Sequence, residues 1–259
     1  MVEDNLSSES ITDNLGTSHI GREVFCYKRL TSTNDVAIEA AKQGAVGGTV
    51  ILADEQTVGR GRIKRKWLSP GGSIALSVIL YPDIEYLPSL IMLASLSVVY
   101  SVQAATGLKP EVKWPNDVLL KGKKICGILI ESDLWRDRVN YVVIGIGINV
   151  NVRLADFPEI SQTATNLSDE LGRTVSRQEI IRHLLVEMDK LYLTLQSGGS
   201  IYEAWRDNLM VLGRHVYITG GKNRYEGTAE SVARDGSLWL RQADGKLVRI
   251  VAGDVTIRY

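Results

Sequence analysis

This chain has no excess of charge of either sign: 30 Lys and Arg balance 30 Asp and Glu. At that level nothing points to a nucleic acid or a membrane surface as partner. Cysteine is nearly absent. Cys26 and Cys126 sit among apolar or β-forming neighbours, so two buried thiols in a reducing compartment are expected, not a disulfide or a catalytic thiol. No Cys/His cluster has metal-ligand spacing. Histidine is as scarce: His19, His183 and His215 fall in the amino-terminal stretch, a helix and the start of the last segment. None lies near a Ser or Cys motif, which excludes a triad hydrolase. No apolar run reaches the roughly 18 residues that a membrane helix needs. The opening MVEDNLSSES lacks the basic and apolar regions of a signal peptide. A cytoplasmic protein with one sizeable domain, or one plus a small satellite, is the expectation.

What is present has a readable order. Residues 1–18 are polar and read as a loosely held tail. EVFCYKRL (23–30) alternates as a strand. TSTNDVAIEAAKQGA reads as a helix capped by Ser32, Thr33 or Asn34, with Val36, Ala37, Ala40 and Ala41 as its apolar stripe. GTVILADE (48–55) and SIALSVILY (73–81) are strands, the second apolar enough to be buried on both faces. Leu87–Gly107 is a buried helix. EVKWPNDVLLKGKKICGILIESDL gives short strands about a KGKK turn, and RVNYVVIGIGINV one more. A helical block over 177–209 is interrupted at SGGS. After Gly213 only short alternating stretches remain, separated by turns such as Gly220-Gly221 and Asp235-Gly236. The spacing predicts an α+β domain, a mixed sheet flanked by helices over 19–210, followed by a small β-barrel over 211–259.

Against the neutral whole, TVGRGRIKRKW (57–67) gathers Arg60, Arg62, Lys64, Arg65 and Lys66 around Gly59 and Gly61. Three readings compete on the loop alone: a solvated basic loop, a nucleic-acid patch, and an anion-binding active-site loop whose glycines admit close backbone approach. It is not a P-loop, since no GKS or GKT follows. GIGIN (145–149) lacks the third glycine of a dinucleotide fingerprint. A second polar cluster, Lys113, Trp114, Pro115, Asn116 and Asp117, lies between strands where a purely structural turn needs none of it. Lys124 precedes an apolar strand, with Gly127 leaving space before it; on its own it also reads as a hairpin-edge solubiliser.

Taken together, STN (32–34), EQTVGRGRIKRKWLSPGGSIALS (55–77), KWPNDVLLKGKKICGILIE (113–131) and GIGINVN (145–151) resemble the biotin–protein ligases, in order and spacing, over most of residues 20–259. With only 31 residues before STN and no helix-turn-helix, the chain resembles the monofunctional class without a DNA-binding domain. The resemblance implies a class II synthetase-like catalytic domain followed by an SH3-like barrel. It implies that biotin and Mg-ATP give biotinyl-5′-adenylate, and that biotin then passes to one lysine of a biotin carboxyl carrier protein, that of acetyl-CoA carboxylase being the usual partner. The lipoate and octanoate protein ligases share the fold and the reaction logic; GRGRxxRKW with KWPND favours biotin.

By matching position, the resemblance assigns biotin contacts to Ser32, Thr33, Asn34, Gln56, Arg60, Gly61, Arg62, Lys124 and Gly127. It assigns ATP contacts to Arg60, Arg62, Trp67, Asn116, Lys124 and Asn149, with Trp67 packing on adenine. Arg62, Lys124 and Asp117 are the expected catalytic groups, Asp117 orienting or deprotonating the incoming amine. Mg²⁺ arrives with ATP near Asp117, without a fixed protein site. Gly72, Gly127 and Gly147 are read as room near the ligand, strands 73–80 and 126–131 as pocket walls, and the basic loop as a lid ordering over it. Ile63 and Lys64 stand where many relatives carry Arg or Gly, so closure differs in detail. Family members occur as monomers and as homodimers paired along a sheet edge, and the sequence does not choose between them. No nucleic-acid or membrane partner is implied.

Overall fold

The computed structural model describes residues 6–220 and 223–257. Seven strands form one mixed sheet: β1 (Val24–Leu30), β2 (Val50–Gln56), β3 (Ser73–Leu80), β4 (Glu111–Lys113), β5 (Asp117–Leu120), β6 (Lys123–Trp135) and β7 (Arg138–Asn149). Their spatial order is β1-β2-β3-β7-β6-β5-β4. Only β1 and β2 pair in parallel. A parallel pair needs a crossover. The helices are α1 (Ser8–Thr12), α2 (Thr33–Lys42), α3 (Leu87–Thr106), α4 (Leu167–Leu171), α5 (Arg177–Gln196) and α6 (Tyr202–Asp207), and α2 supplies that crossover.

All eight residues of β3 are buried, as its unbroken apolar run requires. Ile74, Leu76, Val78 and Leu80 join the main core with residues of α3 and α5. Ile79 turns the other way, to Ala37 and Ala41 of α2. The stripe expected on α2 therefore lies on the sheet, while Gly107 ends α3 in the left-handed conformation at φ 74°.

Two expectations are corrected. The amino-terminal stretch, from residue 6 on, is docked; residues 1–5 lie outside the described residues. Ser7 and Ser10 close a capping box on α1, Ile11 is fully buried, and the Asp189 carboxylate accepts the backbone N–H groups of Ser18, His19 and Ile20 at 2.7–2.8 Å. Polar composition hid this because few apolar anchors, Ile11, Leu15 and Ile20, carry the docking. The stretch Ile84–Thr106 is also long and apolar enough to cross a bilayer, but its most apolar window is 61% buried in the protein. Ser95, Ser97 and Ser101 break the run to the eye, yet each hydroxyl donates to a carbonyl one turn back.

The last part of the chain forms β8 (His215–Gly220), β9 (Asn223–Val232), β10 (Leu238–Arg241), β11 (Leu247–Ile250) and β12 (Asp254–Ile257). They make a five-stranded antiparallel sheet in the order β11-β10-β9-β8-β12, in keeping with the expected SH3-like unit. Gly221, of the expected Gly220-Gly221 turn, and the last two residues lie outside the described ones. Val216, Ile218, Leu238 and Leu240 continue the main core. At the junction Trp114, 2% exposed, donates from Nε1 to the Gly236 carbonyl at 2.8 Å. The KWPND turn is thus anchored as its aromatic suggested, and it reaches into the second sheet.

Candidate functional site

Side chains alternate across a strand, so the face of β7 that meets α2 through Val143 also presents Gly145, Gly147 and Asn149. On β6 the same face carries Gly127, Leu129 and Glu131, which pair with Gly147, Gly145 and Val143. β3 contributes Ala75 opposite Gly147 and Ser77 opposite Gly145. Small residues thus form the floor of a trough. A Cβ on Gly145 would fall 2.1 Å from Asn34 Oδ1, and one on Gly147 would fall 2.3 Å from Trp67 Nε1. At Gly127 it would stand 3.0 Å from the Trp67 ring and 3.2 Å from Lys124 Nζ. GIGIN is therefore a strand whose glycines admit side chains from elsewhere, consistent with its failure as a nucleotide fingerprint.

The start of α2 closes one end. Ser32, Thr33 and Asn34 are 2–4% exposed. The Ser32 side chain makes no cap bond; instead Gln56 Oε1 accepts from the Thr33 N–H at 2.8 Å and its hydroxyl at 3.1 Å. The Ser77 hydroxyl donates to Asn34 Oδ1 at 2.6 Å and lies 2.8 Å from Thr33 Oγ1. A polar segment buried this deeply is held by partners on three strands, Gln56 of β2, Ser77 of β3 and Glu131 of β6.

Over the trough the basic loop forms a narrow hairpin. Trp67 N–H donates to Gly59 O at 2.9 Å and Gly61 N–H to Arg65 O at 2.7 Å, around a single 3₁₀ turn at Arg62–Lys64. A Cβ at Gly59 would meet Trp67 O at 2.3 Å, so that glycine is a packing requirement. Ile63 and Lys64 both take left-handed φ, 54° and 58°. A β-branched residue is strained there. The loop is tied to the protein: Arg60 to Glu131 and Asp35, Arg62 Nη1 to Asn116 Oδ1 at 2.5 Å, and Arg65 to Asp254 of β12.

Two cavities meet beneath the lid. The first, about 120 Å³, is lined by Ser32, Thr33, Asn34, Gln56, Arg60, Gly61, Arg62, Asn116 and Gly127, and shares Trp67, Asp117 and Lys124 with the second. The second, about 490 Å³, shares Lys66 as well and adds Lys113, Asn149, Thr163 and Thr256. At their shared boundary Lys124 Nζ lies 2.6 Å from Asp117 Oδ1 and 5.4 Å from the Trp67 ring centre. Trp67 Nε1 and Arg60 Nε are buried without a hydrogen-bond partner among the described residues. Burial pulls the Lys113 amine below the ordinary lysine value; Asp117 opposes the shift and Lys124 adds to it. Burial pushes the Cys126 thiol well up, on the core side of β6, so it is inert there.

Every residue singled out from the sequence for ligand contact lines one cavity or the other. Arg60, Arg62 and Asn116 line the first, Asn149 the second. Gly72 does not belong with them: at φ 91°, a Cβ there would come 2.8 Å from Asn151 O, so it serves the packing before β3. β3 backs the first cavity through Ser77; β7, through Gly145 and Gly147, is the wall expected of strand 73–80. Sequence reasoning missed Asp35, Ser77, Glu131, Gly145 and Asp254. Glu131 had a signal, its even spacing from Gly127 and Leu129 on one strand. Asp254 had none, being 189 residues from its partner Arg65.

The profile of the Biotin/lipoate A/B protein ligase family matches residues 26–149, and that of the biotin protein ligase C-terminal domain matches 211–258. The chain is 36% identical over 258 residues to the bifunctional ligase/repressor BirA of Bacillus subtilis strain 168, spanning 97% of this chain and 79% of the relative. It is 32% identical to the biotin–[acetyl-CoA-carboxylase] ligase of Paracoccus denitrificans, over 85% of this chain and 95% of the relative. Among solved structures, biotin protein ligase from Aquifex aeolicus in complex with biotin and ATP superposes with TM-score 0.79 at 29% identity, over 92% of this chain and 99% of that one.

Proposed function

This chain belongs to the biotin protein ligase family, and we propose that it activates biotin with ATP and transfers it to a lysine of a biotin carboxyl carrier protein. The observation that carries the reading is the meeting of the two cavities at Lys124, Asp117 and Trp67, under a lid that aims Arg62 inward. The first cavity suits the vitamin. Its floor is glycine and leucine, and Ser32, Thr33, Asn34 and Gln56 offer polar groups at its end for a ureido edge. The second suits ATP, with Lys66, Lys113 and Lys124 for phosphates, Asn149 for polar contact and the flat Trp67 ring for a base.

In the first step a carboxylate oxygen of biotin bonds to the α-phosphorus of ATP, and the bond to pyrophosphate breaks. Two anions must approach, so cations fixed where charge accumulates lower the barrier. Arg62 and Lys124 hold those positions. In the second step the carrier's lysine amine attacks the acyl carbon of biotinyl-5′-adenylate and AMP leaves. Asp117 lies at the boundary to orient that amine, and its contact with Lys124 holds the ammonium in place. Among the described residues no group of three acidic, His or Cys side chains could build a metal site. Mg²⁺ would therefore be held mainly by ATP oxygens, with Asp117, which lines both cavities, able to add a carboxylate ligand, and would neutralise phosphate charge. Unbridged Cys26 and Cys126 support a cytoplasmic setting.

The test is incubation with ATP, labelled biotin and an apo carrier domain. Biotin-dependent pyrophosphate exchange and label on the carrier are expected. Exchange dependent on lipoate instead would move the chain to the sister activity, and no exchange with either acid would overturn the proposal.

A further inference from the structure

The lid's cations do not stand in equal positions. Arg60 is the most engaged: Nη1 and Nη2 reach the two Glu131 carboxylate oxygens at 2.9 and 2.7 Å, and Nη2 also meets Asp35 Oδ1 at 2.7 Å. Glu131 accepts, in addition, a 2.7 Å hydrogen bond from the Asn34 amide. The Arg60 and Glu131 side chains are only 34% and 29% exposed. A two-pronged guanidinium–carboxylate pair withdrawn that far from water holds a narrower geometry than a surface pair. Arg62, by contrast, bonds the neutral Asn116 amide and makes no ion pair among the described residues.

We infer that Glu131, seconded by Asp35, is the positioning residue of the lid. Two carboxylates around one guanidinium leave Arg60 no charge for a phosphate, so its work is to pin the loop where it crosses the first cavity. Arg62, which lines the first cavity beside Asn116, is then the lid arginine placed to meet the developing anion. Because Glu131 also holds Asn34, one carboxylate sets both the lid and the buried start of α2. The consequence for chemistry rests on the biotin-activation reading: a lid that lifts more often admits water to the activated acyl group, and biotin and AMP are lost before transfer.

The latch is tested first without substrates. Trypsin cleaves after Lys and Arg, so nicking at residues 62–66 of the full chain reports how often the lid lifts. Glu131→Gln keeps the shape and removes the charge; Asp35→Asn, nearer the surface, is the second variant should the first fold poorly, with circular dichroism reporting folding. Nicking is expected to rise about tenfold in Glu131→Gln and about threefold in Asp35→Asn. Adding Arg60→Ala to Glu131→Gln should change it by less than about twofold, because each acts through the other. With ATP and biotin, Glu131→Gln should release several times more AMP per biotin transferred, while KM for ATP moves less than that ratio. Unchanged nicking in folded variants, or fully additive effects with Arg60→Ala, overturns the latch. Failure of the unaltered chain to exchange pyrophosphate overturns the functional reading instead, and the nicking experiment still decides the latch.

Discussion

The Lys124 ammonium rests 2.6 Å from Asp117 Oδ1, where both side chains line the two cavities at once. A hairpin places it there: Asp117 pairs with Gly127 across β5 and β6, and Lys124 precedes Gly127 by three residues. Removing the side chain beyond Cβ should therefore leave the fold intact and the reaction crippled. Lys124→Ala is expected to lower kcat/KM in the biotinylation assay by about a hundred- to thousandfold, the loss usual for one fixed transition-state donor. Near-normal turnover would remove Lys124 from its role.

Asp117→Asn keeps a hydrogen-bond acceptor but gives up the charge that fixes Lys124. Activity should drop less than in Lys124→Ala, and the double variant should lose less than the product of the two single losses, because part of Asp117's work passes through Lys124. Additive losses in the same assay would mean that the two act separately.

Gly147→Ala puts a methyl 2.3 Å from Trp67 Nε1, too close for the ring to stay. Tryptophan emission should shift, and KM for ATP should rise at least about tenfold while the melting temperature changes little. An unaltered KM in a folded variant would show that the Trp67 position is immaterial to nucleotide binding.

Trp114→Phe keeps the ring in the core but deletes the Nε1–H donated to Gly236 O. A loss of about 1–2 kcal/mol in urea unfolding is expected, since the Gly236 carbonyl loses its bond across the junction. The same stability as the parent would mean that the contact adds nothing.

Asp54 tests the scaffold by pH. Burial works to raise its pKa, but Lys28 at 2.6 Å and Arg177 at 2.8 Å outweigh it and hold the carboxyl below its ordinary value. Its contribution to stability is thus present above the unfolded-state pKa of about 3.9 and fades as pH falls through the lower folded value. Urea midpoints should show Asp54→Asn less stable by about 1–3 kcal/mol at pH 7. The gap should close below about pH 4; a gap constant down to pH 3 would refute the assignment.

Local periodicity and turn chemistry determined much of this protein from the sequence alone. The β3 run, the α2 stripe, the KGKK turn and the short strands after Gly213 each follow from contacts within a few residues. The lid and KWPND were legible because polar and charged groups crowd segments that folding alone would leave bland. Tertiary structure decided the rest. A glycine's use depends on what approaches it, so Gly145 and Gly147 could not be told from Gly72 before the strands paired. The partner of a charge is set by three-dimensional distance, and so the ties of Arg60 to Glu131 and Arg65 to Asp254 exist only once the sheets are assembled.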